Sequence, residues 1–321
     1  MLKESIVVNH VELRNRIVMP PMATGKANQG KPDEALCAYY AARARGTGLI
    51  IVEHAYVAPE GMAHANQLSM AEDSVIPAYR RLTAAVHERG AAIFAQLNHA
   101  GAQAQDSGTQ PMAPSEVTIR ENAPKPRAMT AEDIRRVKEC FVSAALRAKA
   151  AGFDGVEIHS AHGYLLNQFY SPLTNRRADQ YSGQTLSGRT RLHAEILRAV
   201  RDAVGDDYAV AIRFGACDYM EGGSVKEEIP EACRVFAEAG ADLLDISGGL
   251  NGFTIKGVTE PGWFSELSAL AKKGAEVPVL LTGGINTADE AEALLQKGVA
   301  DLIGVGRAML KDADWSAKAL G

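Results

Sequence analysis

Four stretches of the chain share one local grammar: an amphipathic helix, a glycine stop, and a short apolar run that ends in a polar residue. They are Tyr40–Glu53 (YAARARGTGLIIVE), Ala148–His159 (AKAAGFDGVEIH), Phe236–Ser247 (FAEAGADLLDIS) and Leu294–Gly306 (LLQKGVADLIGVG). A glycine after a helix accepts the left-handed backbone that closes the last turn, and a wholly apolar run suits a strand covered on both faces. Together they mark a parallel sheet wrapped by helices. Further apolar runs at Ile17–Met19, Ala92–Leu97, Tyr208–Phe214 and Pro278–Thr282 bring the expected strands to eight. Helical periodicity at Pro77–Arg89, Thr130–Ala151, Ser187–Val204, Val225–Ala239, Trp263–Lys273 and Thr287–Lys297 fills the intervals. Thr130 followed by Asp133 reads as a helix start of the capping-box type.

Eight strands alternating with helices imply an α/β fold, a single closed (β/α)8 TIM barrel, in preference to an open doubly wound sheet. No linker or composition shift divides the 321 residues, so positions 1–321 read as one domain. Two stretches break the rhythm. Gly101–Met129, after the third strand and rich in proline from Pro111 to Pro126, is too long for an idle connection and is expected to cover the barrel mouth. Gln168–Gly188, after the fourth strand, is a second irregular loop.

Composition narrows the function classes. A net charge of −5 without any Lys/Arg block gives a phosphodiester backbone nothing to bind, so no nucleic-acid partner is expected. The apolar run Ile6–Val8 is too short for a signal-peptide core or a membrane span, which leads to the expectation of a cytoplasmic protein with no membrane partner. Cys37, Cys140, Cys217 and Cys233 are far apart and form no CxxC pair, so no metal site is expected.

In a barrel of this kind chemistry sits where strands end. The strand ends here offer Met19–Thr24, Glu53–His54, Gln96–His99, His159–Tyr164, Arg213, Asp245–Ser247, Thr282–Gly284 and Gly304–Arg307. Amide, imidazole, phenol and guanidinium donors dominate, an inventory that suits a planar heterocycle with many acceptors. Gly283, Gly284, Gly304 and Gly306, with Arg307 as a bidentate donor, read as a phosphate cradle; the alternative is that these glycines only turn the barrel. His159 and His162 can hold an oxygen that gains negative charge, and Tyr164 can deliver a proton to the neighbouring carbon. The same histidines also fit metal ligation or a satisfied core, although no third ligand stands at an obvious spacing. Arg213 ends an otherwise apolar strand, VAIRF, and its charge must be matched either by an anionic ligand or by Glu157 or Asp245. Gln96 can pair with a pyrimidine edge through its donor and acceptor. His54 is the least readable of the set.

The string His159–Arg189 (HSAHGYLLNQFYSPLTNRRADQYSGQTLSGR) resembles the signature of the Old Yellow Enzyme family of NAD(P)H:flavin oxidoreductases. NRIVMPPMATG (Asn15–Gly25), QLNHAG (Gln96–Gly101), PMAPSEV (Pro111–Val117), AMT (Ala128–Thr130) and TGGI with DLIGVGRAML (Thr282–Leu310) match in the family's order, so the resemblance spans nearly the whole chain. It implies bound FMN, with Pro21, Met22 and Ala23 beside the ring, Gln96 and Arg213 on its pyrimidine side, and Gly283, Gly284, Gly306 and Arg307 near the phosphate. His54 is placed with these cofactor-facing residues. His159 and His162 match the oxyanion pair and Tyr164 the proton donor, and the His/His form is more similar to the YqjM-like and dienoyl-CoA-reductase-like branches.

The activity so implied takes hydride from NADPH or NADH and passes it to a small-molecule electron-poor alkene. The competing readings are an FMN-dependent amine demethylase and a non-redox barrel isomerase or lyase acting on a phosphorylated substrate. Three departures stand out. Ala23 occupies the position that usually holds Thr or Cys, with Thr24 next to it; Gly25 stands where YqjM-like members have a tyrosine, which predicts a wider pocket; and the sequence ends at Gly321 without the cysteine cluster of the dienoyl-CoA enzymes, so no second cofactor is expected. A homo-oligomer is expected because relatives assemble.

Overall fold

A computed structural model describes residues 1–105, 107–119 and 121–321. Eight parallel strands close on themselves: β1 (Ile17–Met19), β2 (Leu49–Tyr56), β3 (Ala92–Asn98), β4 (Gly155–Ser160), β5 (Ala209–Gly215), β6 (Leu243–Ser247), β7 (Val279–Thr282) and β8 (Leu302–Gly304). Each pairs with its sequence neighbour, and β8 pairs with β1 to complete the ring. The eight runs expected from sequence are these eight strands.

Strand alternation sorts the apolar residues between two cores. Leu49 and Ile51 of β2 join Val18, Phe94, Ala211, Leu243, Leu280 and Leu302 inside the barrel, whereas Ile50 and Val52 face the helices in the larger outer core. The short apolar run Ile6–Val8 pairs with Val11–Leu13 in a hairpin, which adds fully buried Val8 and Leu13 to the inner core. It closes the end of the barrel opposite the mouth.

The main helices run Glu34–Ala44, Ile76–His87, Ala131–Ala150, Ile229–Glu238, Ser265–Gly274, Ala288–Gln296 and Leu186–Val204. Thr130 and Asp133 form the expected capping box, and Asp133 also takes two bonds from Arg127 at 2.6 and 2.8 Å. Two boundaries differ from expectation. The segment expected to be helical from Trp263 becomes helix only at Ser265, and Trp263 itself packs against the glycines of β7's end. The second irregular stretch begins inside a short helix, Leu165–Tyr170, whose six residues are all buried beside β4. The first irregular stretch carries a small strand pair, Met112–Ala113 with Arg127–Ala128; its positions 106 and 120 lie outside the described residues. Among the described residues no helix is long and apolar enough to cross a membrane.

Candidate active site

At the C-terminal ends of the strands lies a cavity of about 670 Å³, within the size range of small-molecule sites. Pro21, Met22, Ala23, His54, Gln96, His159, His162, Tyr164, Arg213, Gly283, Gly284, Gly306 and Arg307 all line it, so residues scattered over nearly the whole sequence meet there. Gln103 and Ile119 bring the long loop after β3 to the same wall, as expected for a cover over the mouth. Leu250, Asn251, Phe253 and Trp263 also line it and were not singled out from sequence, because loops of this length carry no periodic signal.

The His159 and His162 rings sit 5.2 Å apart, and the Tyr164 ring lies 5.1 Å from His159. His159 is the last but one residue of β4. His162 follows it in a left-handed conformation, φ 59°, which costs a side chain energy and turns the ring back into the mouth. Ser247, at the end of β6, holds that ring with its hydroxyl 2.8 Å from Nε2. Burial, then neighbouring positive charge including Arg213, keeps both imidazoles well below their ordinary range. They are neutral donors, which suits stabilising a developing oxyanion without a permanent counter-charge.

Beneath them is a polar layer inside the barrel. Gln96 donates to Glu157 at 2.8 Å, and Arg213 Nη1 stands 3.0 Å from Asp245 Oδ2, its register neighbour across β5 and β6. The carboxylate reading of Arg213's partner therefore holds for Asp245. The contact nevertheless lacks hydrogen-bond geometry, and both Nε and Nη1 of Arg213 have no hydrogen-bond acceptor among the described residues. Burial and the adjoining Asp245 push Glu157 well above the carboxylate range, and burial pushes Asp245 up to about 6 despite Arg213.

The glycines at the other end are required for a reason sequence did not show. A Cβ on Gly284, whose φ is +73°, would stand 2.5 Å from the Trp263 indole nitrogen, and one on Gly306 would stand 3.1 Å from the Met22 sulfur. Their bareness lets Trp263 and Met22 close on the cavity. Arg307 stacks over Trp263 at 4.4 Å, and the buried indole N–H has no acceptor among the described residues. Beside Ala23, Thr24 turns away: its N–H and hydroxyl each donate to the buried Glu53 carboxylate at 2.7 Å, so Thr24 does not take over the part of the Thr or Cys expected one position earlier. Gly25 has φ +64° and open space where a side chain would begin.

The sequence matches the NADH:flavin oxidoreductase / NADH oxidase family over residues 2–320. The chain belongs to this family. It is 42% identical over 97% of its length to an NADH oxidase from Thermoanaerobacter brockii, of which it spans about half, 49%. It is 38% identical to an NADPH dehydrogenase from Geobacillus thermodenitrificans, covering 96% of this chain and 91% of that one. Among solved structures, a 2-naphthoyl-CoA reductase complex superposes with a TM-score of 0.94 at 26% identity, covering 99% of this chain and 52% of that one.

The family's cofactor is FMN, reduced by NADPH or NADH, and this cavity fits it on two independent observations. A buried arginine with unspent N–H groups faces one end, and an indole N–H and Arg307 face the other. A planar ring with carbonyl acceptors and a phosphate at its far end satisfies both. Among the described residues no group of three or more His, Cys, Asp or Glu is placed to hold a metal ion.

Proposed function

We propose that this protein is an FMN-dependent ene-reductase that takes hydride from NADPH or NADH and reduces the C=C bond of a small α,β-unsaturated carbonyl compound. FMN held here would supply the hydride chemistry that links the nicotinamide to the β-carbon of the alkene. Pro21, Met22, Ala23, Gln96 and Arg213 would line its ring, and Gly283, Gly284, Gly306 and Arg307 its phosphate. His159 and His162 each donate one hydrogen bond to the substrate carbonyl, whose oxygen gains negative charge as hydride arrives. Tyr164 gives its phenolic proton to the α-carbon; the O–H pair stays on the phenolate, which solvent reprotonates.

The observation that carries this reading is the arrangement of two neutral imidazoles and a phenol about 5 Å apart in the cavity that also holds Arg213 and Arg307. It supplies the oxyanion donors and the acid that hydride addition needs. An amine demethylase has no use for a proton donor in this position.

The test is an anaerobic visible spectrum of the purified protein before and after NADPH or NADH, then after 2-cyclohexenone. A flavin band that bleaches and returns with the enone is the expected result. A colourless protein that also fails to take up FMN overturns the reading. In Tyr164→Phe, bleaching is expected to persist while reoxidation by the enone slows by roughly 10²-fold or more, the usual contribution of a general acid.

A further inference from the structure

His54 is a third imidazole in this cavity, and its protonation is fixed from behind. β2 loses register with β3 between Val52 and Ala55, the kind of irregularity that re-aims a side chain, and His54 lies in it. Gln67, 1% exposed, accepts the Ala63 N–H through Oε1 at 2.7 Å. Its Nε2 therefore points at His54, bonding the backbone carbonyl at 3.2 Å and ring Nδ1 at 2.6 Å. Because the amide nitrogen can only donate, Nδ1 must accept, and the proton of the neutral ring resides on Nε2. Burial, then the neighbouring His64, holds His54 down to about 3, so the ring is uncharged at any working pH.

With Nδ1 spent on Gln67, the rest of the ring faces the cavity. The Tyr164 ring is 5.2 Å from it and His159 is 6.1 Å away. We propose that His54 is a positioning residue for proton transfer: a neutral imidazole, locked with its proton on Nε2, that presents an N–H to the Tyr164 side of the cavity and steadies the phenolate left when Tyr164 gives its proton to carbon. A phenolate in a water-poor cavity is penalised by lost solvation, and a fixed N–H beside it offsets that penalty. The same ring keeps Tyr164 pressed towards His159, so donor pair and acid stay in one geometry. This rests on the assignment of Tyr164 as the acid.

Among the described residues, the groups around the pair that titrate or carry charge include His64 from the loop after β2, His159 at the end of β4, His162, and Arg213 on β5. His159 and His162, held well below the ordinary range by burial, stay uncharged in the alkaline range, so the Tyr164 phenol is titrated without a change in their charge. The experiment is ¹³Cζ-tyrosine NMR of the FMN-loaded enzyme through the alkaline range, with Tyr164→Phe assigning the resonance. Relative to the native enzyme, His54→Leu should raise the Tyr164 midpoint by about one pH unit, and His54→Gln, which returns an N–H near the Nε2 position, should restore most of it.

Single-turnover reoxidation by 2-cyclohexenone should slow about tenfold in the Leu variant and recover in the Gln variant. ¹⁵N-histidine spectra of the native enzyme should show the His54 proton on Nε2. A proton on Nδ1, or a Tyr164 midpoint equal in native and Leu enzymes, overturns the role; if the Leu variant does not fold, the ¹⁵N result and the Gln variant decide. Failure of native enzyme to be reoxidised by any enone would instead overturn the proposed reaction, leaving the His54 proton position and the Tyr164 midpoint as separate results.

Discussion

Acidification should destabilise this protein early, because five of its eight histidines are held neutral inside it. Burial pushes His54 down to about 3 and His99 and His193 down to about 4, and it keeps His159 and His162 well below the ordinary range. The unfolded chain takes up these protons near pH 6.5 while the folded chain does not, so stability is full above that pH and is lost as pH falls through it. Integrated from pH 7.5 to 5.5, each imidazole costs about 1.4 kcal/mol, or about 7 kcal/mol for the five. Glu157 and Asp245 act in the opposite direction. Their folded values are raised, so they hold protons that the unfolded carboxylates lack, and they offset part of the loss over the same interval. Even a net loss of about 3 kcal/mol is a large share of the stability of an ordinary domain.

Urea unfolding followed by tryptophan fluorescence at pH 7.5, 6.5 and 5.5 measures it. His193 gives the internal control, since its Nε2 is 2.8 Å from the Ser160 hydroxyl and it does not line the cavity. His193→Gln should flatten the slope by about 1.4 kcal/mol per pH unit below 6.5. A native stability that is level across this range, or a slope unchanged in His193→Gln, would show that these imidazoles charge freely in the folded state and refute the account of them as neutral donors.

Arg307→Ala should weaken FMN retention by roughly tenfold or more, the loss of one charge-assisted contact, read by flavin fluorescence after dilution; full retention would place the phosphate elsewhere. Gly284→Ala forces a Cβ to within 2.5 Å of the Trp263 indole at a φ of +73°, so both the melting temperature and flavin content should fall. His159→Ala should raise the dissociation constant of a phenolic ligand by about tenfold, seen in its long-wavelength absorbance, and unchanged affinity removes His159 from the oxyanion pair. Ala23→Thr should raise the flavin potential by about 20–30 mV, because a hydroxyl beside a carbonyl that gains electron density favours the reduced form; a redox titration with a reference dye reads it.

Much of this architecture was legible because strands buried on both faces and helices closed by glycine leave a strong local pattern. Thr130 and Asp133 are three residues apart, so their capping box could be read directly. What escaped depends on packing between distant segments. The choice of Asp245 as Arg213's neighbour is set by the register of β5 against β6, which ring closure fixes and neither strand reveals. Gln67 orients His54 from thirteen positions further on, within an irregular connection. Trp263 reads as the start of a helix until the bare backbone of Gly283 and Gly284 is seen to admit its indole. The hairpin strands are three residues each, too short for alternation to stand out.

That hairpin makes the barrel a cup. Val8 and Leu13 fill one end with fully buried side chains, so among the described residues the cavity opens at the mouth that the long loop overhangs. On the reaction proposed above, nicotinamide and alkene would then use the same doorway in turn. An excess of either should obstruct the other, and one well-shaped plug in the mouth should inhibit competitively against both.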